Sequence, residues 1–177
     1  CALAVHAALT ARGVRADVVL GHSLGEVAAA SAAGAFDART AVRLAAVRGR
    51  LMAREAAQHP GGLFAAATQV DAPGLELAAH NAPDEWVYGG PLAAMKPGMR
   101  RLDVSGAWHT AAMRRAVDDF ADELAEPLPL GIDMVRNLDG QLTRSTQTLA
   151  PQLAEPVHLV ACFETLRSLG VDELVTV

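Results

Sequence analysis

Four kinds of residue or segment are scarce in this sequence, and each scarcity removes a class of protein. Cysteine occurs twice among 177 residues, as Cys1 and Cys162, in neither a CxxC nor a metal-type spacing. Two cysteines cannot build the disulfide framework of a small secreted domain, so a reducing cytoplasm is the expected setting, with no metal site. Lysine occurs once, at Lys96, and 15 basic residues against 20 acidic ones leave a net charge of -5. With no basic cluster there is no electrostatic footprint for nucleic acid, and small molecules or proteins are the expected partners. No apolar run approaches the ~18 residues of a membrane-spanning helix, because Arg, Asp or His interrupts every candidate, so a soluble chain without a membrane partner is expected. Aromatics are only 4%, and the plentiful alanines favour helices packed closely through small side chains.

What is present suits a globular domain: 51% of the residues are apolar and 20% charged. A compact body of this length buries roughly 70% of its unfolded surface, enough for a real core.

The periodicities predict strands alternating with helices. Ala2 to Ala11 has helical spacing and is followed by Gly13; Asp17 to Leu20 is a short apolar strand; Leu24 to Ala33 is a small-residue helix ended by Gly34. Asp37 caps a long helix reaching about Gln58. On it Arg43, Val47, Arg50 and Arg54 share one face, while Ala41, Leu44, Ala45, Leu51 and Met52 form an apolar stripe that contains Arg48. Pro60 to Met99 reads as a loosely patterned insertion, with a strand at Glu85 to Tyr88 and a helical stretch at Leu75 to His80. Leu102 and Val104 alternate as a strand, a helix starts near Thr110 and carries Met113, Val117, Phe120 and Leu124, and Ile132 to Val135 is a further strand. Pro156 suits the first turn of a helix ended by Gly170, and Glu173 to Val177 reads as a last strand. The expected fold class is α/β, a mostly parallel sheet with helices on both faces.

The strongest chemical signal is Gly21-His22-Ser23-Leu24-Gly25, a G-x-S-x-G between a strand and a helix, the setting this motif requires. Glycines on both sides permit a sharp turn that lifts the Ser23 hydroxyl to a helix N-terminus, where the Leu24 amide is free to donate to a developing oxyanion. The competing reading is an ordinary capping serine. A serine nucleophile needs a base. His6, His59 and His80 read as solvated, His158 lies on the polar side of its helix, and His22 adjoins Ser23 on a turn, where neighbours point apart. His109, where a strand hands over to a helix at the carboxyl edge of the sheet, is the candidate base; a structural histidine is the alternative. Arg48 needs either an interior carboxylate or a pocket. In a pocket its planar fork would suit a substrate carboxylate.

These blocks have a familiar order. Gly21-His22-Ser23-Leu24-Gly25-Glu26, Ala33-Gly34-Ala35, Arg48-Gly49-Arg50-Leu51-Met52 and Ser105-Gly106-Ala107-Trp108-His109 resemble the malonyl-CoA:acyl carrier protein transacylases. Pro60-Gly61-Gly62, Asn81-Ala82-Pro83 and Gln152-Leu153 with Pro156-Val157 extend the resemblance over nearly the whole chain. It implies an α/β-hydrolase-like core at residues 1–62 and 101–177, with a shortened, ferredoxin-like small subdomain at 63–100. The implied activity takes malonyl from coenzyme A as a serine ester and passes it to the phosphopantetheine thiol of an acyl carrier protein, with no cofactor. By the same resemblance Ser23 is the nucleophile, His109 the base, Leu24 the oxyanion donor and Arg48 the clamp on the malonyl carboxylate. His22 and Trp108 are further substrate-binding positions, and Gln152 supplies a backbone carbonyl that orients the histidine. Malonyl-selective members usually carry Phe where Trp108 stands; a bulky ring disfavours an α-methyl branch, a discrimination worth only ~1 to 3 kcal/mol.

The sequence also departs from the family. The opening strand with its Gly-Gln-Gly-Ser-Gln loop, whose glutamine contributes to the oxyanion hole, and the Gly-Pro-Gly region after the last strand are absent from these residues, so a chain truncated at both ends is expected. Losing one oxyanion donor costs about 10² to 10³ in rate. Two other readings stand beside malonyl transfer. An α/β-hydrolase or thioesterase shares the serine motif but places its histidine after the final strand, where this sequence has none. A non-catalytic remnant that binds a partner protein would fold without acylation of Ser23.

Overall fold

A computed structural model describes residues 1–177. The chain runs through α1 (Ala2–Ala11), β1 (Val18–Leu20), α2 (Gly25–Ala32) and α3 (Ala38–Gln58) into four strands, β2 (Gly62–Ala66), β3 (Glu76–Ala82), β4 (Glu85–Gly90) and β5 (Arg100–Arg101). Then come α4 (Arg114–Leu124), β6 (Pro129–Val135), β7 (Leu142–Ser145), β8 (Val157–His158) and α5 (Leu159–Ser168).

The helix boundaries follow from local chemistry. Asp37 caps α3 by accepting the Thr40 amide at 2.7 Å, satisfying one of the orphan donors of the first turn. Gly34, at φ +91, ends α2, and the amides of Gly34 and Ala35 return to the Ser31 and Ala30 carbonyls in the double bond that closes a helix through a left-handed residue. The buried face of α3 includes Leu44, Arg48 and Met52, as its spacing predicts, but also Val47 and Glu55. Val47 therefore parts from Arg43 and Arg54 and turns inward, because the helix is covered over a stripe wider than one row of side chains.

The strands form two mixed sheets, a correction to the mostly parallel sheet expected above. In the three-stranded sheet, ordered β1-β6-β7, β1 and β6 are parallel with Leu20 opposite Val135, and β6 and β7 are antiparallel. In the five-stranded sheet, ordered β5-β2-β4-β3-β8, only the β3-β8 pair is parallel. The connections dictate this. Parallel neighbours need a crossover of about a dozen residues or more, and Pro83-Asp84 alone joins β3 to β4, which forces a hairpin.

Several other expected elements differ. Leu75 to His80 belongs mostly to β3 and is not helical, Leu102 to Val104 is irregular with β5 just before it, and Pro156 precedes β8, so α5 starts three residues later. Glu173 to Val177 forms no strand; alternation is a local signal, and a strand exists only against a partner. β2 went unread in the sequence because all five of its residues are buried, so no alternation marks it.

The main core is a cluster of 16 buried residues drawn from α2, α3, α4, β6 and the connections that carry Ala33, Met113, Leu149, Ala150 and Leu153, with Leu44, Met113, Phe120 and Met134 among its most enclosed side chains. Val19 packs against this cluster, while Val18, Leu20 and Val135 turn to the opposite face against Cys162 and Leu166 of α5. Helices thus cover β1 and β6 on both faces. The five-stranded sheet has its own apolar layers, Leu63, Ala79, Val87 and Val157 on one side, Phe64, Tyr88 and Met99 on the other. Trp108 packs against both the main core and the first of these layers, so the loop that carries His109 is wedged between the two halves. No helix is long and apolar enough to cross a membrane.

Candidate active site

β1 delivers the chain to Gly21 and α2 begins at Gly25, leaving three residues for the turn. A Cβ on Gly21 would stand 2.0 Å from the Gly25 carbonyl carbon, so only glycine lets strand and helix approach this closely. A Cβ on Gly25 meets nothing within 4 Å; the second glycine of the motif is not needed for space. Ser23 itself sits at φ +53, a left-handed conformation that few non-glycine residues adopt. The Leu24 amide, at the N-terminus of α2, donates to no group of the chain and remains available for an incoming oxygen.

Ser23 Oγ lies 2.7 Å from His109 Nε2. His109 Nδ1 lies 2.9 Å from the Gln152 carbonyl oxygen, which can only accept. The proton therefore resides on Nδ1, and bare Nε2 faces the serine hydroxyl as its acceptor. His109 also holds a left-handed conformation, φ +60, and is buried. Burial first, and the Arg48 charge second, push its pKa down to about 4, so the imidazole is neutral near pH 7.

Arg48 reaches the same hydroxyl from α3. Its Nη2 donates to Ser23 Oγ at 3.1 Å and to Gln152 Oε1 at 3.0 Å. It is only 5% exposed and makes no ion pair, which removes the structural salt bridge considered from the sequence. Burial lowers its pKa to about 10, partly offset by nearby Glu26. Glu26, buried in the first turn of α2, is itself raised to about 7 by burial, against the opposing pull of the Asn137 amide and the Arg48 charge.

The structure thus brings Ser23, Leu24, His109, Arg48 and Gln152 together. Gln152 does more there than lend a carbonyl: its Nε2 also donates to the Ser23 carbonyl oxygen at 2.8 Å. Trp108 stands beside His109 in the sequence and is half-buried, with Nε1 enclosed and unpartnered. His22 is exposed and turns to the five-stranded sheet, its Nε2 2.9 Å from Asn81 Oδ1, so the adjacent side chains of the turn do point apart. Among the histidines set aside, His80 is not solvated as expected; it stacks on Trp86 with ring centroids 3.7 Å apart, because β3 carries it into the sheet.

Sequence reasoning missed Asn137, which has no exposed surface and contacts the Ser23 backbone. The available signal was its position, a polar residue two places beyond β6, at the carboxyl edge of the sheet where α/β sites assemble.

Comparison with known proteins gives this arrangement a relation. The family model described as the acyl transferase domain matches residues 1–165. The malonyl CoA-acyl carrier protein transacylase of Mycolicibacterium smegmatis is 35% identical over 93% of this chain and 66% of its own length. That of Mycobacterium tuberculosis is 34% identical over 89% of this chain and 60% of its own. Among solved structures, the crystal structure of MCAT from Mycobacterium tuberculosis superposes with a TM-score of 0.83 at 32% identity, covering 94% of this chain and 63% of that one. The acyltransferase domain of the second module of the salinomycin polyketide synthase also gives 0.83, at 30% identity, covering 96% of this chain and 45% of that one. The chain therefore spans between three fifths and two thirds of the length of these curated relatives. It belongs to the acyl transferase domain family.

Proposed function

We propose that the chain carries the acyl-transfer chemistry of a malonyl-CoA:acyl carrier protein transacylase, moving malonyl from coenzyme A to a carrier-protein thiol through an ester on Ser23. One observation carries the reading: a single hydroxyl hydrogen-bonded to a neutral buried imidazole and to a buried guanidinium that has no carboxylate partner. A hydrolase of simple esters has no use for that second group, whereas a dicarboxylic acyl donor does.

Ser23 Oγ attacks the thioester carbon and its proton passes to His109 Nε2, while the Leu24 amide meets the oxyanion. Collapse expels the coenzyme A thiolate, which takes the proton back, and malonyl remains on Ser23. The phosphopantetheine thiol of the carrier protein gives its proton to His109, attacks the ester, and Ser23 leaves with that proton. Throughout, Arg48 pairs with the free carboxylate through the end of its guanidinium, Nη1, which bonds nothing in the chain, acting together with Nη2, which trades the serine hydroxyl for the carboxylate. That pairing has a second effect. The Arg48 charge is one of the causes depressing the His109 pKa, so a carboxylate that neutralises it strengthens the base as the substrate seats. Trp108 and His22 border the acyl pocket in this reading, and the ring of Trp108 favours malonyl over methylmalonyl. Gln152 orients His109 through its carbonyl.

The same reading takes β1, β6 and their helices as part of an α/β-hydrolase-like core, and residues 63–100 as a reduced ferredoxin-like subdomain. It assigns the chain a cytoplasmic setting, an acyl carrier protein and a coenzyme A thioester as partners, and no cofactor, metal, nucleic acid or membrane.

Intact-mass measurement after incubation with malonyl-CoA tests it. A malonyl adduct is expected, absent in Ser23→Ala, and discharged by carrier-protein thiol rather than by water. In Arg48→Ala the rate of malonyl loading should fall about 10²-fold, the cost of leaving one partner of a desolvated charge pair alone, with acetyl loading little changed. A folded wild-type chain that takes no adduct refutes the reading.

A further inference from the structure

The bend at Ser23 is held from outside its own segment. The β1-β6 backbone ladder stops at Leu20 opposite Val135, and beyond that point a side chain takes over. Asn137 Nδ2 donates to the Gly21 carbonyl oxygen at 2.7 Å, and Asn137 Oδ1 accepts the Ser23 amide at 2.7 Å. One carboxamide thus brackets His22 and fixes the peptide plane that enters the left-handed Ser23, while Gln152 Nε2 and the Glu26 amide hold the Ser23 carbonyl beyond it. Asn137 is in turn fixed at its backbone. Its amide donates to Glu26 Oε1 at 2.5 Å and its carbonyl accepts the His158 amide at 2.8 Å.

We propose that Asn137 is a positioning residue that sets the peptide plane entering Ser23 and so holds its left-handed conformation, its carboxamide acting as a surrogate strand partner across His22 and Glu26 seating it from α2. A serine at φ +53 persists only where its surroundings over-determine it. Local sequence explains the close approach at Gly21 and holds the Ser23 carbonyl through the Glu26 amide, but it supplies no partner for the Ser23 amide. The bridge occupies the Ser23 amide while leaving the next amide, that of Leu24, free. It therefore separates the donor that serves the fold from the donor that serves the oxyanion. The position of Ser23 Oγ between His109 and Arg48 then depends on a residue that touches neither the hydroxyl nor the acyl group.

This inference rests on Ser23 being the acylated residue, and its test is separable from that reading. In the wild-type chain labelled with nitrogen-15, amide exchange corrected for intrinsic rates should be at least about tenfold slower at Ser23 than at Leu24, the worth of one hydrogen bond. Equal rates overturn the proposal, and this measurement needs neither a variant nor activity. In Asn137→Ala the Ser23 protection should vanish while the amides of α3 keep theirs. Single-turnover acylation by malonyl-CoA, and labelling of Ser23 by a fluorophosphonate, should then fall about 10²-fold, as a displacement near 1 Å produces, with the KM for malonyl-CoA within about twofold. A folded Asn137→Ala chain that keeps Ser23 protection or acylates at the wild-type rate overturns it. Asn137→Asp keeps the acceptor for Ser23 but faces the Gly21 carbonyl with an oxygen, so acylation as fast as wild type would likewise refute the bridge. Fluorophosphonate labelling without a malonyl adduct would refute malonyl transfer and leave these comparisons intact.

Discussion

The two halves that meet at Ser23 are specified in different ways. On one side, the passage from β1 into α2 is set first by a steric rule acting over a few residues, Gly21 permitting the close approach, before Asn137 pins the turn from a distant segment. On the other, the five-stranded sheet depends on pairings between segments as distant as β2 and β5, or β3 and β8. The halves touch through few polar links, among them His22 to Asn81, the Ala111 amide to Glu76 Oε2 at 3.0 Å and the His158 amide of β8 to the Asn137 carbonyl at 2.8 Å, and through Trp108. The reacting groups belong to the locally specified half and to the wedge. The sheet acts as the wall against which the wedge is pressed. The turn that carries the nucleophile is thus encoded in short-range geometry, and its support in long-range contacts, Asn137 and Trp108 among them.

Gly21→Ala breaks the comparison most severely. The added methyl would lie 2.0 Å from one backbone atom and 2.1 Å from another, and backbone cannot yield as a side-chain tip can. A destabilisation at or beyond the ~3 kcal/mol upper end of ordinary overpacking is expected, together with loss of Ser23 acylation. Denaturant titration and intact mass check both.

Phe64→Ala strikes the other half. Phe64 is wholly buried in the layer beneath β2 and β4, on the face of the sheet away from Trp108. Truncation should cost about 3 to 5 kcal/mol. In the fraction that remains folded, acylation per folded molecule should stay within about twofold, because no contact of Ser23, His109 or Arg48 is touched. A selective loss of acylation at unchanged folded fraction would show that the sheet sets the site geometry directly.

A milder test changes only protonation. With its pKa depressed to about 4, His109 is protonated only below that value, so the acylation rate should rise with pH through an acid limb and flatten above it. At saturating substrate the limb should lie at higher pH for malonyl-CoA than for acetyl-CoA. The malonyl carboxylate removes the Arg48 charge that helps hold the histidine down, and acetyl has nothing to pair. Coincident limbs would break the proposed coupling between the clamp and the base.

The sequence made the locally specified half legible to nearly the residue. The serine turn follows from glycine spacing, and the inward Arg48 from counting along an amphipathic helix. His109 was found for a partly mistaken reason, since the segment before it is irregular rather than a strand; what singled it out was its place at the head of a helix. The sheet was nearly illegible. β2 is buried on both faces and shows no alternation, and the helical spacing of Leu75 to His80 yielded to hairpin pairing with β4. Asn137 escaped for a related reason: its partners Gly21 and Ser23 lie more than a hundred residues away, and no spacing rule reaches that far.

The smallest expected effect is the one that isolates what the serine motif requires. Its two glycines look equivalent in sequence, yet a Cβ at Gly25 enters open space, and Gly25 is the first residue of α2. Alanine there has a better helix propensity and loses less freedom on folding, gains of roughly 0.5 to 1 kcal/mol in a helix interior and smaller at its first position. Gly25→Ala in this chain should therefore leave the melting temperature unchanged or raise it by a few degrees, with acylation kept. A loss on the scale of Gly21→Ala would mean that the second glycine is held by a requirement other than space, and that the asymmetry between the two positions belongs to this conformation alone.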